Sequence, residues 1–262
     1  MKRLIGSLVL VIMASSCTYV YYPTYPVIPD SQGKGFGMGG VVGFSKAQLS
    51  AWYAIDSNIY VTGTFNGALS ILGPVTNTGT TNTQDRPYNS LVSLLGVGYK
   101  VKATEGFEAQ IQAGMGLGKG FYHTTVFNKP DSNDFFQFNS VDVDTRSIRT
   151  YLQPSFGFIN KKTNFYIIPR FTYESFRKVT NKSDPIIDPF DPTFDQNIEV
   201  RPKSFLITEG FMLLRFKTEV INIDLYAGVA TNLLRGVFTD GGNGSFVSQP
   251  IHVGFGLNRA FN

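Results

Sequence analysis

Few residues in this 262-residue chain are of types that carry chemistry, and their spacing limits what each can do. A single cysteine, Cys17, excludes an intramolecular disulfide and a cysteine-rich metal site, and two histidines, His123 and His252, leave little for a histidine cluster. His123 has Asp131, Asp134, Asp142 and Asp144 near it in sequence, the material for a general base and its orienting carboxylate. No glycine-serine elbow or metal-ligand spacing accompanies them. Gly35, Gly37 and Gly40 of GFGMGG have the spacing of a dinucleotide-binding loop, but without the preceding strand and following helix that would turn amides toward a pyrophosphate. GMGLGKG, from Gly114 to Gly120, is one residue short of a phosphate-binding loop. In DPIIDPFDPTFD the carboxylates of Asp184, Asp188, Asp191 and Asp195 would suit calcium. Their spacing is not that of a calcium loop, and prolines make the stretch read as a stiffened, solvated loop. No cofactor, no metal and no catalytic residue is expected, and the chain reads as other than an enzyme.

The remaining candidates are charges at alternate positions of otherwise apolar segments: Lys100, Glu108, Arg149, Arg170, Glu174, Glu209, Arg215 and Asp224. In FEAQIQAGMGLGKG, Glu108, Gln110 and Gln112 share one parity, while Phe107, Ala109, Ile111, Ala113, Met115 and Leu117 share the other. A two-residue period is that of a strand with two different faces. INIDLYAGVATNL and IHVGFGLNRAF repeat it. Ten such segments are predicted, near 35–44, 47–55, 59–69, 90–100, 106–126, 146–159, 164–178, 204–216, 221–235 and 250–261. Most reach the roughly 9 to 11 residues that a tilted strand needs to cross a bilayer.

The links between these segments alternate. IDSN, KATE, NKKT and KTEV are short, while 70–89, 127–145, 179–203 and 236–249 are long; the link at Ser45 and Lys46 is the exception. An even strand count with short turns on one side and long loops on the other predicts an all-β protein, an antiparallel up-and-down transmembrane β-barrel of about ten strands. Aromatic residues on the apolar parity fall at both rims. Phe36, Tyr53, Tyr99, Phe107, Phe158, Phe165, Phe216 and Phe261 lie near the short turns, and Phe44, Phe65, Phe121 and Tyr173 toward the loops. Lys119 and Arg259 are the charges on that parity, near strand ends where their stems can reach headgroups. A soluble β-sandwich would place Lys, Thr and Glu on the polar face, where this chain has Gly96, Gly98, Gly114, Gly116, Gly254 and Gly256. Glycines there make room in a narrow lumen. The eight charges, of both signs, are predicted to pair and plug it, since an unpaired buried charge is costly, and a ten-stranded barrel is little wider than one that side chains fill. The alternative is a selective ion path.

The amino end is read separately. Lys2 and Arg3, the apolar run Leu4–Met13 and the small residues Ala14, Ser15 and Ser16 form a signal peptide over 1–16. Its apolar run is too short to span a bilayer. A small-residue stretch ending at cysteine resembles the lipobox of bacterial lipoproteins, although Ala14 stands where leucine is usual; the resemblance implies that Cys17 is lipidated. Residues 17–34, rich in Tyr and Pro and without a period, are predicted to be an extended tether, and 35–262 the barrel. Without Lys2 and Arg3 the basic count falls from 23 to 21 against 19 acids, a net charge of +2, which gives a nucleic-acid partner no electrostatic support.

Taken together, the lipobox-like cysteine, the Tyr/Pro tether, the first strand GFGMGGVVGF, the hairpin AQLSAWYAIDSNIYVTGTFNGA and the strand TYLQPSFGFIN resemble outer-membrane β-barrel lipoproteins of the Bacteroidota. The resemblance implies a barrel in the outer membrane and no assigned catalytic residues. It also implies a leaflet: surface-exported lipoproteins of that group tend to carry acidic residues after the cysteine, and TYVYY has none, which points to the periplasmic leaflet. The expected role is structural or partner-binding, by a monomer whose partners are outer-membrane lipid and other envelope proteins. A narrow, porin-like pore or small-solute transporter of the outer membrane is the second reading and an outer-membrane hydrolase the third.

Overall fold

The structure is a computed structural model, and it describes residues 24–29, 35–43, 46–69, 89–104, 106–128, 137–181, 204–232 and 251–261. The signal segment, Cys17, Phe44, Asp131, Asp134 and the Asp-Pro loop lie outside the described residues.

Every periodic segment forms a strand. They are β1 (Gly35–Gly43), β2 (Lys46–Ala54), β3 (Ile59–Leu69), β4 (Asn89–Thr104), β5 (Phe107–Asn128), β6 (Gln137–Ile159), β7 (Thr163–Asn181), β8 (Ser204–Phe216), β9 (Asn222–Asn232) and β10 (Ile251–Phe261). Each pairs antiparallel with its sequence neighbours, and β1 closes on β10 from Phe36↔Phe261 to Gly43↔Gly254. The result is a closed up-and-down barrel of ten strands with no free sheet edge.

The period becomes two surfaces. In β10, Ile251, Val253, Phe255 and Leu257 face out, while His252, Gly254, Gly256 and Asn258 face in. Outward side chains around the wall include Leu49, Phe65, Leu95, Leu117, Phe156, Phe171, Met212 and Val229, with Leu95 72% exposed. Lys119 and Arg259 are exposed as predicted, and the Arg259 guanidinium lies 5.1 Å from the Phe261 ring centre. At the turn end, Phe36, Tyr53, Tyr99, Phe158, Phe216 and Phe261 are exposed, and Phe107 and Phe165 half-buried. Phe65 and Tyr173 are exposed toward the loops, but Phe121 is buried, because the alternation of β5 breaks at Gly120 and Phe121, which are both buried.

Local chemistry closes the short turns. Asp56 accepts the N–H groups of Asn58 and Ile59, each at 2.7 Å, folding IDSN back on itself. Gly106 takes φ 84° between β4 and β5, a conformation natural to glycine.

Two expectations are corrected. Residues 127–145 do not form one loop: β5 runs to Asn128 and β6 starts at Gln137, their ladder continuing to Asn128↔Gln137. In QFNSVDVDT only Val141 and Val143 alternate with polar residues, Asp142 and Asp144, and Phe138 falls on the other parity, a run too short to extend the predicted strand. Nor is the whole of 17–34 a tether beside the barrel. Thr24–Pro29 lies inside the lumen, with Thr24, Tyr25, Val27 and Ile28 all buried.

Candidate functional site

The site is the interior. All eight charged residues named from the sequence point inward, and they meet as four pairs. Arg215 and Asp224, from adjacent strands β8 and β9, form a two-pronged contact, Nε to Oδ1 at 2.8 Å and Nη2 to Oδ2 at 2.9 Å. Arg149 Nη2 lies 2.8 Å from Glu174 Oε2, and Ser147 donates to the other oxygen at 2.7 Å. Lys100 Nζ is 2.9 Å from Glu108, which also accepts from Gln110 at 2.6 Å and Tyr166 at 3.2 Å. The fourth pair is looser, Arg170 to Glu209 at 3.9 Å, with Thr172 donating to the same Glu209 oxygen at 2.8 Å. Removing these groups from water is tolerable because each carboxylate has both a cation and a neutral donor. For Asp224 the neutral donors are Tyr226 at 3.1 Å and the Asn258 amide at 2.7 Å.

Part of the interior is occupied by the chain itself, residues 24–29. Tyr25 N–H donates to Gln48 Oε1, and Gln48 Nε2 donates back to the Tyr25 carbonyl, both at 2.8 Å. One side-chain amide thus serves both polar groups of that residue, as a neighbouring strand would. Arg170 Nη1 donates to the Thr24 carbonyl at 2.6 Å and to its hydroxyl at 2.8 Å, Arg215 Nη1 to the Ile28 carbonyl at 2.9 Å, and Tyr226 to the Pro26 carbonyl at 3.4 Å. Prolines at 26 and 29 suit a single extended chain with no sheet partner, since they bring no N–H to satisfy. Arg170 and Arg215 therefore each serve a wall carboxylate and the internal segment, and Arg170 also donates to Gln153 Oε1, from Nε at 2.9 Å.

Apolar packing secures the same segment. Tyr25 and Ile28 form one buried cluster with Val41, Tyr166, Ile168, Phe211, Leu213 and Tyr226. The Tyr25 ring lies under the Lys46 ammonium, 4.1 Å from its centre, and its hydroxyl donates to the Val253 carbonyl at 2.7 Å. Gly43 and Gly254 make this possible, because a Cβ on either would fall within 2.1 to 2.6 Å of the Tyr25 ring or hydroxyl.

The other sequence candidates separate cleanly. Gly35, Gly37 and Gly40 lie within β1 and Gly114 and Gly118 within β5, so neither glycine run opens a helix. His252 is buried and inward, its ring 6.2 Å from that of Phe211. The backbone ladder sets His123 opposite Asp142 and Phe121 opposite Asp144. Among the described residues no group of His, Cys, Asp or Glu has the arrangement of a metal site. Sequence reasoning missed Gln48, Gln153, Tyr226 and the segment 24–29. The inward glycines at 43 and 254 lie against Tyr25, but other inward glycines, such as Gly98 against Tyr60, are covered by rings of the wall itself, so the glycines alone do not signal the segment.

The fold and interior define a class: an antiparallel ten-stranded barrel with an apolar outer wall and an interior of paired charges. No protein-family profile matches the chain, and no curated protein matches it. Among solved structures, the translocator domain of the autotransporter NalP from Neisseria meningitidis is similar at a TM-score of 0.46 and 8% identity, over 100% of this chain and 95% of that one. OmpT, an outer membrane protein of Vibrio cholerae, is similar at a TM-score of 0.23 and 9% identity, over 90% and 100%. At these values neither neighbour speaks to the function of this chain.

Proposed function

We propose that this protein is an outer-membrane β-barrel lipoprotein that does not conduct, and that it acts as a structural or partner-binding component of the envelope through its long loops. The observation that carries the reading is the pairing of two opposite surfaces. Large apolar side chains cover the outer wall, a larger patch than a monomer leaves in water, while the lumen contains ion pairs and residues 24–29. Such a wall fits hydrocarbon, and such a lumen leaves the loops and rims as the surfaces that meet other molecules. Cys17, following the signal segment, would carry the lipid.

Three measurements test this reading. In detergent the purified protein should run faster on a gel unheated than boiled, as closed barrels do; absence of the shift together with solubility without detergent contradicts the membrane reading. Liposomes holding the protein should not swell in isotonic solutions of small sugars, and swelling would favour a pore. Cys17→Ala should abolish incorporation of labelled fatty acid, and unchanged labelling removes the lipoprotein part alone.

A further inference from the structure

At the loop-side rim of the outer wall, the exposed charges of the described residues gather on one arc. Lys119 of β5 stands opposite Arg146 of β6, and Arg146 stands opposite Lys178 of β7, so three cations lie side by side in one row of the ladder. All three are exposed. Lys178 belongs to the row because the register slips. Ser147 pairs with Phe176 and Arg146 with Lys178, which leaves Arg177 as an extra residue on β7. By strict alternation from Glu174 and Phe176, both buried, Lys178 would face the lumen. The bulge re-aims it, and Arg177 and Lys178 are both exposed.

Such a row needs a counter-charge. Like charges set directly opposite on a sheet repel, and strands about 4.8 Å apart put the three backbone positions within roughly 10 Å. Among the described residues none of the four cations forms an ion pair. Asp144, two residues toward the loops on the Arg146 parity of β6, is half-buried and pairs with none of them. On the turn side of the row the same three strands turn apolar, with Met115, Leu117, Leu152, Phe171 and the interfacial ring of Tyr173 all exposed. The cations therefore border the apolar belt at the level where a bilayer places its headgroups, within reach of long Lys and Arg side chains. The outward residues near the loop-side ends of five other strands, Ala47, Leu91, Ser204, Thr231 and Ile251, are uncharged.

We infer that Lys119, Arg146, Arg177 and Lys178 form a binding site on the outer wall for the phosphate group of an anionic lipid in the leaflet on the loop side. The inference rests on the outer-membrane reading, which supplies that lipid. The arginines can take two phosphate oxygens in parallel bonds, and the lysines add point charges. A phosphate seated there relieves the repulsion along the row, so the lipid is held at the β5–β7 arc and not evenly around the barrel.

The test is native mass spectrometry of the full chain in detergent, titrated with phosphatidic acid and, separately, with phosphatidylcholine of the same acyl chains. The unaltered protein is expected to retain phosphatidic acid about tenfold more strongly, a preference that weakens as salt is added. The triple change Lys119→Gln, Arg146→Gln and Lys178→Gln, with folding checked by heat-dependent mobility, should lose the preference, and Arg146→Gln alone should already weaken it. Arg259→Gln, on the opposite rim, should keep it. Equal retention of the two lipids by the unaltered protein, a preference that survives the Gln changes, or an equal loss in Arg259→Gln overturns the site and leaves the barrel reading standing. Displacement of the lipid by excess inorganic phosphate shows a site for a free anion and overturns the lipid assignment. A protein that retains neither lipid and shows no heat-dependent shift removes the outer-membrane reading, and the site falls with it.

Discussion

Arg215 shows how much one inward side chain does in this barrel. It closes a two-pronged pair with Asp224 and holds the Ile28 carbonyl, and it is almost wholly buried. Arg215→Ala should destabilise the barrel by about 3–5 kcal/mol in urea unfolding from lipid vesicles, because it strands the buried Asp224 carboxylate. The double change Arg215→Met with Asp224→Leu should recover most of that loss, since no charge is then left unpaired. Gln48→Ala should cost less, about 1–3 kcal/mol, by leaving the Tyr25 N–H and carbonyl without partners. At this scale the sequence is legible for facing but not for pairing. Period two puts Glu108, Arg149 and Glu174 on the inner surface, yet which acid meets which base depends on strand tilt and register. Glu108 meets Lys100 on the adjacent β4, and nothing local to either residue specifies that partner.

The strands were readable because one face had to be apolar, and the readings failed where that requirement lapses. β6 extends well beyond the stretch expected for it, its ladder with β5 reaching Asn128↔Gln137, where apolar and polar residues alternate only over Val141–Asp144. β8 is apolar on both faces: Leu206, Met212 and Leu214 point out, and Phe205, Ile207, Phe211 and Leu213 point in. An inward apolar wall needs a cover, and Tyr25 and Ile28 supply part of it. The segment 24–29 itself has no period, because an extended chain surrounded on all sides has no face to distinguish. The two-surface account of the wall predicts opposite responses to a charge. Leu95→Arg, on the outer face, should cost about 2–4 kcal/mol in lipid if it lies near the bilayer midplane. In detergent-free folding trials it should lower the yield of heat-modifiable protein; an unchanged yield and unfolding midpoint would speak against lipid contact at Leu95.

For the whole molecule, closure and filling belong together. Eight strands leave an interior that side chains just fill. This barrel has ten, and its interior holds residues 24–29 of its own chain together with the four ion pairs. The architecture was legible in the count of strands and the alternation of turns and loops, whereas the occupant was not, because it comes from a stretch that reads as a linker. The most direct measurement is therefore single-channel recording in planar bilayers, comparing the full chain with a variant lacking residues 24–29. The full chain should be electrically silent, and the deletion should open steady conductance through a lumen now lined by Arg170, Arg215 and Gln48. Steady openings of the unaltered protein, with the same amplitude as the deletion, would contradict the occluded-barrel account.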